Sequence, residues 1–154
     1  MTMEGQQTET APQALTEPLA AGPLVGIIMG SQSDMDLMQK AGEVLTERGI
    51  GWEIEVMSAH RNPDRVVEYC RSAHARGLKV LIAGAGLSAA LPGVAAAHTD
   101  LPVIGVPLSS SLSAAGGLDA ILSVVQMPPG VPVACVGLDN ARNAGYLAAR
   151  ILRS

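Results

Sequence analysis

The sequence predicts an α/β domain of three layers, with helices on both faces of a five-stranded parallel sheet. Two observations carry this prediction. Apolar runs of five to seven residues without polar alternation recur along the chain, such as PLVGIIM, KVLIA and PVIGV. Strands buried on both faces read in this way. Between the runs lie segments bounded by helix-start and helix-stop residues, so strand and helix alternate five times with no internal repeat.

Residues 23–29 (PLVGIIM) form the first strand and stop at Gly30. Ser33 or Asp34 then caps a helix that runs to Arg48 and is closed by Gly49. Residues 52–57 (WEIEVM) alternate, which predicts a second strand nearer a sheet edge. Pro63 starts a helix that continues to Arg76 and ends at Gly77. Residues 79–83 (KVLIA) form a third strand, with a glycine-rich loop from Gly84 directly after it. Pro92 opens a short helix, and residues 102–106 (PVIGV) form the fourth strand. Residues 117–125 read as helix, 131–136 as the fifth strand and 139–153 as a closing helix. Residues 23–154 thus form one α/β domain. Residues 1–22, rich in Thr, Gln, Glu, Ala and Pro, read as a disordered tail. They lack the basic start and apolar centre of a signal peptide.

Composition narrows the function classes. Apolar residues make up 48% of the chain, yet Phe is absent. The core is therefore built from Val, Ile, Leu, Ala and Met, which favours close approach of helices to the sheet. Acidic residues outnumber basic ones by 14 to 10, so no basic footprint for nucleic acid is present. No apolar run reaches the length that crosses a membrane. Cys70 and Cys135 lie far apart in apolar surroundings and read as reduced thiols of a cytoplasmic protein, not as a disulfide or a metal pair. Lys40 and Lys79 are the two lysines, which leaves Schiff-base chemistry few candidates. No cluster has metal-ligand spacing, and no serine sits in a nucleophile elbow.

Ligands of open parallel sheets bind outside the carboxyl ends of the strands. The segments after strands one to four therefore surround one crevice. After the first strand, Gly30, Ser31, Gln32, Ser33 and Asp34 lead into a helix. Backbone N–H groups and serine hydroxyls there can hold a phosphate, aided by the helix dipole. Asp34 would repel that phosphate at close range but can accept hydrogen bonds from ribose hydroxyls. On local pattern alone, helix capping explains Ser33 and Asp34 as readily. After the second strand come Ser58, Ala59, His60, Arg61 and Asn62. An imidazole at that place can transfer protons near neutral pH, and a guanidinium can pair with phosphate or carboxylate. Taken singly, a loop histidine is also compatible with a solvated surface residue. After the third strand, Gly84, Ala85, Gly86 and the residues to Leu91 carry no charge. This segment lacks the third glycine of a dinucleotide fingerprint and any phosphate-loop lysine. It suits either a small neutral pocket for a carboxylate or CO2, or a close helix–strand contact. His74 and His98 read as surface residues on helices.

Together, MGSQSD, SAHR, IAGAG, ALPG, PVIGVP and VQMPPGVPVA, with Asn143-Ala144, resemble N5-carboxyaminoimidazole ribonucleotide mutase over residues 24–152. The resemblance implies a flavodoxin-like domain, a homo-octamer with active sites between subunits, and no cofactor, ATP or metal. The implied substrate is a small ribonucleotide whose carboxylate leaves the exocyclic nitrogen as CO2 and is captured by ring carbon C4. His60 matches the family's proton-transfer histidine. Ser31, Ser33, Asp34, Ser58, Ala59 and Arg61 match its nucleotide-binding positions. Gly84, Ala85, Gly86 and Leu91 match its base and CO2 pocket.

A related subgroup, the aminoimidazole ribonucleotide carboxylases, typically shows SAHK and an AGRSN-type loop. Arg61 and the Gly84-Ala85-Gly86 run favour the mutase. Three departures stand out. The family usually reads GAGGAAHLPG where this chain reads GAGLSAALPG, so Ala90 replaces a second histidine, and Leu87 and Ser88 replace smaller residues. Residues 108–117 are about two longer than usual, with Ser109 for a frequent glutamine. The family commonly continues beyond the last helix into a further one that packs on a neighbour, whereas this sequence stops at Ser154. The departure at Ala90 also motivates a second reading, a silent paralogue that binds a phosphoribosyl ligand without turnover. An FMN electron carrier would need ring-flanking aromatics, and only Trp52, Tyr69 and Tyr146 are present.

Overall fold

The computed structural model describes residues 22–154. The expected tail, residues 1–21, lies outside the described residues. The chain runs β1 (Val25–Met29), a 3-10 turn (Gln32–Asp34), α1 (Met35–Glu47), β2 (Trp52–Val56), α2 (Pro63–Ala73) and β3 (Val80–Gly86). It continues with α3 (Leu91–Ala97), β4 (Val103–Leu108), a 3-10 turn (Ala114–Gly117), α4 (Leu118–Val125), β5 (Ala134–Cys135) and α5 (Ala141–Ile151). All neighbouring strands pair in parallel, in the order β2-β1-β3-β4-β5. That order is the flavodoxin-like arrangement the resemblance implies.

Period-two alternation along the strands divides the core into two layers. Val25, Ile27 and Met29 of β1 join Met38, Ala41 and Leu45 of α1 and Ala141, Ala144 and Ala148 of α5 on one face. Ile28, Leu81 and Ala83 meet Val66 and Cys70 of α2, Leu91 and Ala95 of α3, and Ala120 and Val124 of α4 on the other. With no Phe to bridge gaps, helices settle onto glycines. A Cβ on Gly42 would lie 2.5 Å from the Trp52 ring, and one on Gly145 only 2.7 Å from the Ala41 carbonyl oxygen. The alternating β2 is an edge strand, as its pattern predicts. Its outer side is tied to α2: Tyr69 donates to Glu53 at 2.7 Å, and Arg76 pairs with the same carboxylate at 2.8 Å.

Several boundaries depart from the sequence reading. β3 extends through the predicted glycine-rich loop to Gly86, and β4 extends to Leu108, because Ala85 pairs with Pro107 and Gly86 with Leu108. Glycine here admits close neighbours: a Cβ on Gly86 would sit 2.9 Å from the Leu108 carbonyl oxygen. β5 shrinks to two residues, since Pro132 has no N–H for the ladder. The first cap is Ser31, whose Oγ accepts from the Ser33 N–H at 3.3 Å, while Asp34 makes no side-chain cap bond. α2 ends at Ala73, three residues short of Arg76. Cys70 is buried and Cys135 half-buried, and both are free. Burial pushes the Cys70 thiol up to about 11. Among the described residues no helix is long and apolar enough to cross a membrane.

The contact of Gly145 with the α1 backbone gives a direct check on this packing. Gly145→Ala is expected to lower unfolding stability by about 1–3 kcal/mol, the usual cost of overpacking a filled core. Thermal unfolding read by circular dichroism measures it. An unchanged midpoint would mean that α1 and α5 do not meet there.

Candidate functional site

β1 and β3 are neighbours, but the helices that follow β1 and β3 pack on opposite faces of the sheet. The backbone therefore separates at their carboxyl ends and leaves a crevice. A cleft of about 330 Å³ lies there. It is lined from β1 by Gly30, Ser31 and Asp34, and from β2 by Ser58, Ala59, His60 and Arg61. Beyond β3 come Ala85, Gly86, Leu87, Ser88, Ala90 and Leu91, and beyond β4 comes Ser110. Its size falls at the lower end of the range for small-molecule sites.

Nine of the eleven residues singled out by sequence thus line one cleft. Ser33 and Gly84 do not. Ser33 stands behind Ser31, and the two hydroxyls are 2.9 Å apart. Gly84 is buried below the cleft, and a Cβ on it would meet Met38 Sδ at 2.5 Å. Ser110 is a lining residue to which the sequence assigns nothing. The signal for it was its place two residues past a strand end.

Local structure explains how the polar groups are aimed. The β2 chain stays paired past its last residue, Met57 N–H donating to Met29 O at 2.8 Å. Ser58 is then buried, its Oγ accepting from the Arg61 N–H at 3.2 Å and its carbonyl from the Asn62 N–H at 2.8 Å. These two bonds close a tight turn that leaves His60 and Arg61 exposed above the cleft. Past β3 the chain turns sharply at Leu87, whose φ of 55° places a non-glycine residue in the left-handed region. The N–H of Ala90 donates to Ser88 O at 2.7 Å, and Pro92 then opens α3.

The cleft holds one unusual charge. Asp34 is raised above the ordinary carboxylate range, first by burial and then by the nearby Asp139, against a lowering hydrogen bond from the Ser31 backbone. Asp139 itself accepts from the Ser109 N–H at 2.8 Å and from the Ser109 hydroxyl. Among the described residues no group of three or more His, Cys, Asp or Glu is placed to hold a metal ion. The arrangement therefore offers hydroxyls and a guanidinium for an anion, a carboxylate for hydroxyl donors, an imidazole for proton transfer, and an uncharged wall. A larger hollow of about 790 Å³ lies at the opposite ends of the strands against Pro102, Val103 and His98, and holds none of the predicted residues.

The profile of the AIR carboxylase family matches residues 24–154. The chain is 58% identical to the N5-carboxyaminoimidazole ribonucleotide mutase of Thermotoga maritima over 130 residues, 84% of this chain and 75% of the relative. It is 57% identical to the mutase of Pyrococcus horikoshii over 130 residues, 84% of this chain and 72% of the relative. Among solved structures, it is similar to the crystal structure of Treponema denticola PurE with a TM-score of 0.74. That match has 36% identity and covers 85% of this chain and 80% of the other.

The state of Asp34 has a consequence for stability. A carboxyl whose folded pKa is raised binds its proton more tightly in the fold than in the unfolded chain. Its ionisation therefore costs stability as pH rises from 3.8 through the raised value. Asp34→Asn is expected to raise the melting midpoint at pH 7, with the gain shrinking as pH falls towards 4. Midpoints measured across that range check the sign, and a lower midpoint at pH 7 would refute it.

Proposed function

The chain belongs to the AIR carboxylase family, and we propose that it converts N5-carboxyaminoimidazole ribonucleotide into 4-carboxy-5-aminoimidazole ribonucleotide in purine biosynthesis. The observation that carries this reading is the convergence of His60, Arg61, Ser31 and Asp34 from two strand ends on one cleft with an uncharged Gly/Ala wall. The family, and the names of the similar relatives, supply the reaction.

In this reading Ser31, backed by Ser33, and Arg61 hold the phosphate. Asp34 accepts from the ribose hydroxyls, which offsets the cost of its partial burial. Ala85, Gly86 and Leu91 form the wall against the base, and Gly84 lets that wall sit close to α1. Ser58 and Ala59 set the turn that presents the imidazole. The carbon–nitrogen bond to the exocyclic nitrogen breaks, CO2 is released, and His60 supplies the proton that the nitrogen gains. The ring of aminoimidazole ribonucleotide is electron-rich, so C4 attacks the trapped CO2 without further activation. His60, now neutral, removes the C4 proton, the ring becomes aromatic again, and the histidine regains its starting state. Holding the two fragments together and excluding water provides the rest. An uncharged wall suits CO2, which a strongly solvating site would lose as bicarbonate. No metal or cofactor enters these steps.

Residues 23–154 act as the single catalytic domain of a cytoplasmic homo-octamer. Half-exposed Leu118, Leu122 and Val125 share one side of α4 and support self-association.

Direct turnover tests the proposal. Freshly made N5-carboxyaminoimidazole ribonucleotide is added to the protein, and the ultraviolet absorbance of the 4-carboxylate is followed against a control without enzyme. Rapid conversion without added bicarbonate is expected; conversion only of aminoimidazole ribonucleotide with bicarbonate would indicate the carboxylase instead. Nucleotide binding with no product would indicate a silent paralogue. His60→Asn is expected to bind nucleotide but to lose at least about 10²-fold in kcat, the lower end of general acid–base help. Ala90→His keeps or raises turnover. Undiminished kcat in His60→Asn would remove the mechanism.

A further inference from the structure

Ser110 lines the same cleft as Ser88, Ala90 and Leu91, outside the segments that carry the phosphate, ribose and proton-transfer roles. From its setting we propose that Ser110 donates a hydrogen bond to the migrating carboxylate and that Asp139 is the positioning residue that seats it. This assignment rests on the mutase reading above.

Asp139 joins two loops that are distant in sequence. One carboxylate oxygen accepts from the Ser109 N–H at 2.8 Å and the other from the Ser109 hydroxyl. The Asp139 N–H donates to the Pro107 carbonyl at 2.8 Å. The carboxylate therefore pins the residue immediately after β4 to the turn that precedes α5. Asp139 also has a φ of 57°, a left-handed conformation that aspartate adopts more readily than most non-glycine residues.

The next residue, Ser110, is held on its acceptor side. Its Oγ accepts from the Leu112 N–H at 3.2 Å, its carbonyl from the Ser113 N–H at 3.1 Å, and its own N–H donates to Ser113 Oγ at 2.8 Å. The hydroxyl proton has no acceptor among the described residues and is available to a ligand. The wall around it, from Ala85 to Leu91, carries no charge, and Ser88 and Ser110 bring its side-chain hydroxyls. Arg61 follows β2, at the other side of β1 and β3 from β4. A carboxylate resting on this wall needs donors. Neutral hydroxyls meet that need without the ion pair that would oppose its release as CO2.

The test compares wild type with Ser110→Ala, Ser110→Thr, Asp139→Ala and the double variant. Steady-state turnover of N5-carboxyaminoimidazole ribonucleotide is measured beside the affinity for aminoimidazole ribonucleotide, which lacks the carboxylate. Ser110→Ala is expected to lose at least about tenfold in kcat/KM, the scale of one hydrogen bond to a charged group. Its affinity for the carboxylate-free nucleotide stays unchanged, and Ser110→Thr retains most of the turnover. Asp139→Ala shows a similar loss that disappears in the Ser110→Ala background, where a purely structural role would instead add. An active wild type with undiminished Ser110→Ala, or equal losses for both nucleotides, would overturn the inference and leave the mutase standing. An inactive wild type would overturn the mutase reading and this inference with it.

Discussion

Met29 lies opposite Gly84 where β1 pairs with β3, and the missing side chain at Gly84 lets Met38 of α1 close against the sheet at that point. Pairing and packing there are one constraint. If the two strands slipped by one residue, every buried side chain on them would face the wrong layer. Because the register holds, the chain leaves β1 toward one face and β3 toward the other. The crevice between those departures has no side chains to fill it. The Ser31 and His60 segments stand on one flank of it and the Ala85–Leu91 wall on the other.

The lack of Phe acts in the same direction. A sheet covered by Val, Ile, Leu, Ala and Met can seat helices closely only where glycine or alanine allows it. Gly42 against Trp52 and Gly145 against Ala41 are such places. Close seating fixes α1, and α1 with its preceding 3-10 turn fixes Ser31 and Asp34. The buried face of the domain thus sets the geometry of groups that are themselves partly exposed.

Much of this was legible in the sequence, for physical reasons. PLVGIIM reads as a strand covered on both sides and WEIEVM as an edge strand because burial imposes the pattern locally. His60, Arg61, Ser58, Ser31 and Asp34 were readable because polar residue types stood at strand ends, where ligands of such sheets bind. What failed was non-local. Gly84 to Gly86 look like a loop by propensity, but their strand state comes from pairing with Val106, Pro107 and Leu108. Ser33 and Gly84 match the family's motifs yet stand behind the cleft surface. Ser110 escaped notice because its aim depends on Asp139, 29 residues further along the chain.

Backbone strain gathers in the segments that leave the strand ends, and one of its sites, Leu87, lines the cleft. Leu87, Ala115 and Asp139 are the non-glycine residues with positive φ among the described residues, and each belongs to a segment that follows a strand end. Conformations of this kind cost about 1–3 kcal/mol each and persist where the surroundings dictate them. At Leu87 the family pattern has glycine, which adopts that conformation freely. This chain keeps the turn although its residue disfavours it, so the turn is imposed by what flanks it: Ala85 and Gly86 paired with β4 before it, and Pro92 in the first turn of α3 after it. The apolar side chain that results stands 41% exposed at the cleft mouth. An apolar group there limits water at the uncharged wall of the cleft. Leu87 thus trades backbone ease for a drier entrance, on the same segment where Ala90 has given up an imidazole.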